Sequence, residues 1–412
     1  MNPACLPALH GGPKTVTATL PVHHRWGREE LERLTAMVQQ DSLFYAKGPQ
    51  CAALLSVFRR TYPLQWTMPV SSGTAALHVA VAALRLPPGS EIITSPVTDM
   101  GSVIGALYQQ CVPVFADIDP HSYNLDPADV RRKITPQTRA LLVVHLAGNP
   151  ADMDALMAIA REHDLYVIED CAQSWGATCR GRPVGLFGHR ACYSVNEYKH
   201  VSCGDGGIVA TNDARFGPTL AKWGDKHYDR TTNSRNPESL SPNYRMSEPQ
   251  AAVATAQLTK LTGIIAAHVH IGTRLLNHLR ELALPGIFLP EIDRRNSHSF
   301  WFCLLRMDPA RFRCTRDEFV SALVAEGAHA VAGYIPKPVY QYPLFQSHDF
   351  FAGTWPLREA GLTSVDYRNV HCPVAEKMLA DGISLAIKPS FTDEFIDQTA
   401  DAFAKIARFY AV

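Results

Sequence analysis

The stretch ALLVVHLAGNPADMDALMAIAREHDLYVIED, residues 140–170, decides the fold. Residues 140–146 and 165–170 are apolar in runs rather than in alternation. Such runs suit strands covered on both faces, whereas a strand with one wet face alternates. Between them, residues 151–164 read as a helix. The unit is strand–helix–strand, which implies parallel neighbours in a covered sheet.

Working upstream, the rhythm repeats. Residues 91–95 (EIITS) read as a strand, 101–110 (GSVIGALYQQ) as a helix, 112–118 (VPVFADI) as a strand and 126–134 (DPADVRRKI) as a helix. Before these, GTAALHVAVAALRL (73–86) is a long apolar helix stopped by Pro87, Pro88 and Gly89. REELERLTAMVQQ (28–40) places Leu31, Leu34, Met37 and Val38 on one helical face. Residues 1–25 are rich in Pro and Gly and read as irregular.

Downstream, RACYSV (190–195) and GGIVAT (206–211) are short strands flanking a loop that holds Lys199. Residues 246–282 form a long helical region. A strand at 298–307, a helix at 316–327, a loop and a terminal helix at 392–410 make a smaller α+β unit. The expected organisation is a large domain, residues 1–265, and a small C-terminal domain, residues 266–412, divided inside the long helix. With 412 residues, two domains are the natural expectation. The polar segment 227–243 is long for a loop and reads as a functional or interface element.

The 39 basic and 39 acidic side chains balance, and no basic stripe is present, which speaks against a nucleic-acid partner. No apolar run is long enough to span a membrane, and the N-terminus lacks a secretory pattern. The 10 cysteines show no paired or zinc-ligand spacing. These features together point to a cytoplasmic protein with reduced thiols and no metal site.

The familiar dinucleotide, P-loop, serine-hydrolase and zinc-protease motifs are absent. Four other features remain. Ser71-Ser72-Gly73-Thr74 opens a helix, where free N–H groups and the helix dipole attract anions. Asp170 ends a buried strand, the position at which open α/β sheets bind ligands. Ser194 and Lys199 sit beside the glycine-dense turn Gly204-Asp205-Gly206-Gly207. A lysine attacks an aldehyde only as the free amine, so its surroundings must lower its pKa. Asn243-Tyr244-Arg245 precedes a helix, and arginine offers a fork suited to carboxylate or phosphate. Each feature alone has an ordinary explanation: an N-cap, a strand-ending acid, a loop lysine, a surface arginine. His145 reads as strand-end packing, and Tyr193 and His200 are assigned no role beyond packing.

In this order and spacing, the four resemble the DegT/DnrJ/EryC1/StrS family of sugar and cyclitol aminotransferases. SSGTAALHVAVAAL resembles the family's phosphate-binding SGTxAL segment. HLAGNPADMDALMAIAREHDLYVIEDCAQSWGA, YSVNEYKHVSCGDGGIVAT and NYRMSEPQAAVATAQL resemble its other three blocks. The resemblance implies an α/β fold of the fold-type I class: a mostly parallel central sheet flanked by helices, with a smaller C-terminal α+β domain. It implies the cofactor pyridoxal 5′-phosphate (PLP), bound covalently by Lys199. It further implies Asp170 at the pyridine nitrogen, Gln173 at the phenolic oxygen, and Gly73, Thr74 and Ser194 at the phosphate. Asn243 would reach the phosphate of the neighbouring subunit in a homodimer with shared active sites. Arg245 and Tyr334 would lie near the small-molecule substrates, an amino donor (glutamate or glutamine) and a keto-sugar or keto-cyclitol.

One departure stands out. The family places an aromatic residue on the cofactor ring, whereas this chain has Thr98-Asp99-Met100 there. A carboxylate cannot stack, so either Met100 covers the ring or the ring contacts differ. The departure keeps a second reading open, a PLP-dependent lyase or carbon–carbon condensing enzyme. A non-catalytic binding protein is a third. In the family's sugar-dehydratase branch a histidine replaces the lysine, and Lys199 argues against that branch.

Overall fold

The computed structural model describes residues 6–412. Its strands in chain order are β1 (Trp66–Val70), β2 (Glu91–Thr94), β3 (Val112–Phe115), β4 (Thr138–Val144) and β5 (Tyr166–Asp170). A small ribbon follows, β6 (Thr178–Cys179) with β7 (Arg182–Pro183), and then β8 (Arg190–Ser194) and β9 (Gly207–Thr211). Seven of these form the main sheet, in the order β1-β9-β8-β5-β4-β2-β3.

From β8 to β3 every pairing is parallel. β9 runs antiparallel to both β1 and β8. The alternating pattern of residues 91–170 predicts only the parallel part. The reversal arises where the chain between β8 and β9 doubles straight back through the loop carrying Lys199, with no crossover helix to restore direction. The helix Gly73–Ala82 lies against the sheet, buried at every position except Thr74. Its alanines let it approach closely, and they leave Thr74 at the mouth of the site.

The helix Arg28–Val38 departs from expectation. Met37 and Glu30 are its buried residues, whereas Leu31 and Val38 are exposed. The inward face is organised by polar bonds. Glu30 Oε1 accepts from Gln257 Nε2 at 2.8 Å, and Lys260 Nζ lies 2.5 Å from the same oxygen. The predicted long helical region is two helices, Glu248–Thr259 and Leu261–Leu282, meeting at Lys260. The second begins with Leu261, Ile264 and Ile265 against the large unit's core. It ends with Leu275, Leu276 and Leu279 in the core of the C-terminal unit.

That unit holds β10 (Ile287–Phe288), β11 (Phe302–Met307), β12 (Ala330–Ala332) and β13 (Gly382–Ala386), all antiparallel in the order β10-β11-β13-β12. Phe319 and Phe403, fully buried on the helices Arg316–Ala325 and Asp393–Tyr410, anchor its core; each such ring is worth about 1.5–3 kcal/mol of burial. The strand predicted over 298–307 starts at Phe302. The preceding residues bond instead to the large unit: Ser299 N donates to Gly148 O at 2.9 Å and Trp301 N to Ala147 O at 2.8 Å. β12, β13 and several short helices occupy the region expected as loop.

Residues 8–20, grouped by sequence with the large domain, lie on the C-terminal unit. Glu326 accepts from Ala8 N and Thr15 N at 2.7 and 2.8 Å, and Val16 enters the C-terminal core. The irregular reading of residues 1–25 fits 11–25; a short 3₁₀ turn covers Ala8–His10, and residues 1–5 lie outside the described residues. The nine cysteines among the described residues are all free, and seven are buried.

Candidate active site

Lys199 lies on the turn between β8 and β9, partly buried, with Nζ 3.7 Å from the centroid of the Trp301 ring. Burial lowers its pKa from 10.5 to about 8, while the charges of Asp170 and Asp99 pull the other way. The side chain is therefore a substantially free amine at mildly alkaline pH.

Asp170 ends β5 and is buried. Ser102 Oγ donates to its Oδ2 at 2.7 Å and Ala172 N to its Oδ1 at 3.0 Å. Burial raises its pKa against these donors and the nearby Lys199 and His145. The carboxylate is thus short of positive charge and suited to a cationic partner. Gln173 is buried beside it. Its Oε1 accepts from Ala147 N at 2.8 Å and its Nε2 donates to Tyr334 OH at 3.0 Å. An amide nitrogen has two hydrogens, so one remains to donate.

Gly73 and Thr74 form the first turn of a helix whose N-cap, Ser72, takes the Ala75 N–H at 3.0 Å. The Gly73 and Thr74 N–H groups have no partner within the helix. A Cβ on Gly73 would stand 2.7 Å from Ser194 Cβ, and one on Gly101 would stand 2.4 Å from Thr74 Oγ1. Only glycine allows the 72–74, 99–102 and 194 segments to converge so tightly. Asp99 Oδ1 accepts from Gly101 N at 2.8 Å, and the residue is exposed. Met100 is half-buried against the apolar cluster that contains Val97 and Tyr334.

Lys199, Asp170, Gln173, Asp99, Met100 and Tyr334 thus gather at one end of the parallel strands, with the Gly73–Thr74–Ser194 cradle joined to them through Gly101 and Asp99. Asn243 and Arg245 stand elsewhere on this chain. Asn243 is exposed, and its backbone bridges Asp225. Arg245 Nη1 lies 3.5 Å from Asp225 Oδ1, a buried carboxylate also bound by Arg230 and Tyr45. Their link to the cradle is through the backbone: Ser71 N donates to Tyr244 O at 2.7 Å.

The family model described as DegT/DnrJ/EryC1/StrS aminotransferase matches residues 25–404. This chain belongs to that family. A relative from Streptoalloteichus tenebrarius, described as a putative L-glutamine:3-amino-2,3-dideoxy-scyllo-inosose aminotransferase, is 32% identical over 97% of each protein. The structure of S. venezuelae DesV in complex with a ketimine intermediate has a TM-score of 0.79 at 30% identity, covering 92% of this chain and 94% of that one. The aminotransferase from Psychrobacter cryohalolentis has a TM-score of 0.81 at 26% identity, covering 93% and 97%.

Within this aminotransferase the structure adds residues that sequence reasoning missed. Ser102 is a lone hydroxyl in a turn. Trp301 reads as an ordinary strand aromatic. Arg25 stands in the irregular segment. The carboxylate of Glu169 lies near His145 and Cys171 in a compact buried trio. It accepts from Gly185 N, Phe187 N and Gly188 N and pairs with His145 Nε2 at 3.2 Å, so its lone pairs are filled by the fold. His145 Nδ1 accepts from Ala151 N, which leaves the Nε2 proton for Glu169. Beside the lysine turn a cleft of about 780 Å³ opens, bounded by residues 23–29, Lys199, Trp301, Phe302 and, from the C-terminal sheet, Ser384 and Ala386.

Proposed function

We propose that this chain is a PLP-dependent aminotransferase moving an amino group from glutamine or glutamate to the ketone of a cyclitol, sugar or similar polyhydroxylated acceptor. The observation that carries the reading is the placement of the Lys199 amine against the Trp301 ring and within charge range of Asp170, buried at the end of β5. The relative from S. tenebrarius, by its description, supports glutamine as donor and a keto-cyclitol as acceptor.

The residues fit the cofactor. The Gly73 and Thr74 N–H groups, with the Thr74 and Ser194 hydroxyls, suit a phosphate. Asp170, buried and poorly compensated, suits a protonated pyridine nitrogen. The spare N–H of Gln173 suits a phenolic oxygen. When bound, PLP draws electrons from the carbon carrying the amino group and holds that group between donor and acceptor.

The chain's own part is distinct. Lys199 Nζ would take the proton from the substrate carbon as a free amine and return it on the other side of the transfer. Burial of Asp170 keeps its charge unscreened, so it would favour a protonated pyridine nitrogen. Trp301 shields the amine from water on one side. Tyr334, hydrogen-bonded to Gln173, is read as a contact of the hydroxylated acceptor.

Asn243 is read as reaching the phosphate site of a second copy, making a homodimer with shared sites; its exposure supports this. We further read the protein as cytoplasmic. Among the described residues no helix is long and apolar enough to cross a membrane.

The test is the absorbance of the purified protein with PLP, before and after L-glutamine or L-glutamate, beside Lys199→Ala. A visible band that is absent from the variant and bleaches with donor is expected. A band indifferent to every amino donor would overturn transamination, and no band would overturn PLP. Light scattering in solution checks the dimer.

A further inference from the structure

The turn that carries Lys199 exposes four consecutive carbonyls, of residues 197 to 200, and none of them is left to water alone. Arg25 Nη1 donates to Glu197 O at 2.5 Å, and Nη2 donates to Lys199 O and to His200 O, the latter at 3.1 Å. Trp301 Nε1 donates to Tyr198 O at 2.6 Å. Backbone carbonyls aligned in this way make a concentration of negative dipole. The planar fork of a guanidinium can meet several of them at once, as an ammonium cannot.

Arg25 is spent on this contact. Among the described residues no carboxylate lies within ion-pair distance of it; Glu197 acts on it only at longer range. Burial lowers its pKa, a cost that the carbonyls offset. The arginine is itself held in place. Its own carbonyl accepts from Gln257 Nε2 at 2.9 Å. The same amide nitrogen donates to Glu30 Oε1, and Glu30 Oε2 accepts from Gly27 N at 2.8 Å. Trp26 Nε1 adds a long contact of 3.4 Å to Ser202 O, beyond the lysine. The strap 25–30 is thus bolted to the helix Glu248–Thr259 on one side and grips the lysine turn on the other.

We propose that Arg25 is a positioning residue for Lys199: it fixes the turn that aims the amine, without touching substrate or cofactor. The inference rests on the reading of Lys199 as the reacting amine. Its physical content is that the turn has no regular secondary structure to hold it. It must nonetheless place Nζ to within a fraction of an ångström for proton transfer. Side-chain donors replace the missing ladder bonds.

The experiment uses the apoprotein first. Lys199 is acetylated competitively over a pH series and its labelling is read by peptide mass spectrometry, for wild type, Arg25→Ala and Arg25→Lys. In wild type the amine should titrate near 8. In Arg25→Ala the turn opens to water and the apparent pKa should climb toward 10.5. Arg25→Lys, which restores the charge without the fork, should fall between. With PLP and glutamine, Arg25→Ala should slow the donor half-reaction about a hundredfold, the cost of roughly an ångström of misplacement, and added guanidinium should restore part of it.

Lys405→Met serves as control. It loosens the N-terminal segment, through Pro13 O and Glu326, without touching the turn, and should leave the Lys199 titration unchanged. An Arg25→Ala protein that folds with an unshifted Lys199 titration and an unslowed half-reaction overturns the proposal. If Arg25→Ala does not fold, Arg25→Lys takes its place: an unshifted titration and an unslowed half-reaction in that variant overturn the proposal equally. A wild type inert to all donors, with the titration shift still present, would instead sink the transaminase reading and leave the positioning role standing.

Discussion

Ser102 Oγ donates to Asp170 Oδ2 at 2.7 Å, and the Thr98 hydroxyl lies 2.7 Å from Ser102 Oγ. With the Ser102 proton on Asp170, Thr98 must be the donor of the second bond, so the three form a directed chain ending on the carboxylate. All three residues are buried. Ser102→Ala strands an Asp170 oxygen and the Thr98 hydroxyl together, which should cost about 1–3 kcal/mol. It also removes a donor that holds the Asp170 pKa down. The expected outcome is a lower urea midpoint together with weaker PLP retention at neutral pH. A variant as stable and as well loaded as wild type would show that the chain is ornamental.

The Lys199 amine gives a signed pH dependence. Its folded pKa of about 8 lies below the ordinary 10.5. Only the free amine attacks the PLP aldehyde, so the rate of cofactor attachment to apoprotein should rise through about pH 8 and level off well below 10.5. The linked effect on stability has the same sign. Between the two values the unfolded chain binds a proton that the folded chain has lost, so stability gains as pH rises across that window. Urea unfolding of apoprotein at several alkaline pH values should show the gain in wild type and not in Lys199→Met.

The parts of the site legible in the sequence are those the chain presents locally. Asp170 stands at the end of an apolar run, and Gly73-Thr74 at the start of an apolar helix. Lys199 sits beside a glycine cluster, so one stretch each suffices to find them. Trp301 is not legible in this way, because tertiary bonds bring it to Lys199: Ser299 and Trp301 bond to residues 148 and 147, some 150 positions away, and the Trp301 indole bonds to Tyr198 O, 103 positions away. Arg25 is hidden for another reason. An arginine that recognises backbone carbonyls needs no partner side chain, so it leaves no spacing to read. The β9 reversal and the strands β12 and β13 depend on pairings between short segments, and the proline-broken stretch 336–373 masks the period on which strand assignment rests.

Arg190 supplies a test of the fold apart from the site. Its side chain is fully buried at the start of β8, and none of its three nitrogens has a hydrogen-bond partner among the described residues. Its guanidinium lies 3.9 Å from the Phe216 ring centroid, and burial lowers its pKa to about 10. The cation–π contact returns only part of the cost of stripping water from the charge. Arg190→Met keeps the length and removes the charge. It should raise the unfolding free energy by on the order of 1 kcal/mol, with transaminase turnover unchanged. A fall in stability would mean that the ring contact outweighs desolvation.

By residue count, Asp99 is our candidate for the corner at which the resemblance leads one to expect an aromatic residue on the cofactor ring. Its exposed carboxylate is anchored by Gly101 N, and its charge raises the pKa of Lys199 and of Tyr334. Asp99→Asn preserves the cap on Gly101, since an amide oxygen accepts as well as a carboxylate does, and removes only the charge. The Lys199 titration should therefore move down, and the pH profile of cofactor attachment should shift to lower pH with its plateau unchanged. Salt should reproduce part of that shift in wild type, because an exposed charge is screened. Asp99→Phe tests the remaining question, whether ring cover matters here. If Met100 covers the ring, Asp99→Phe should repeat the downward shift and leave PLP retention as it was. A large gain in retention on introducing the phenyl ring would show that the wild-type corner leaves one face of the cofactor bare.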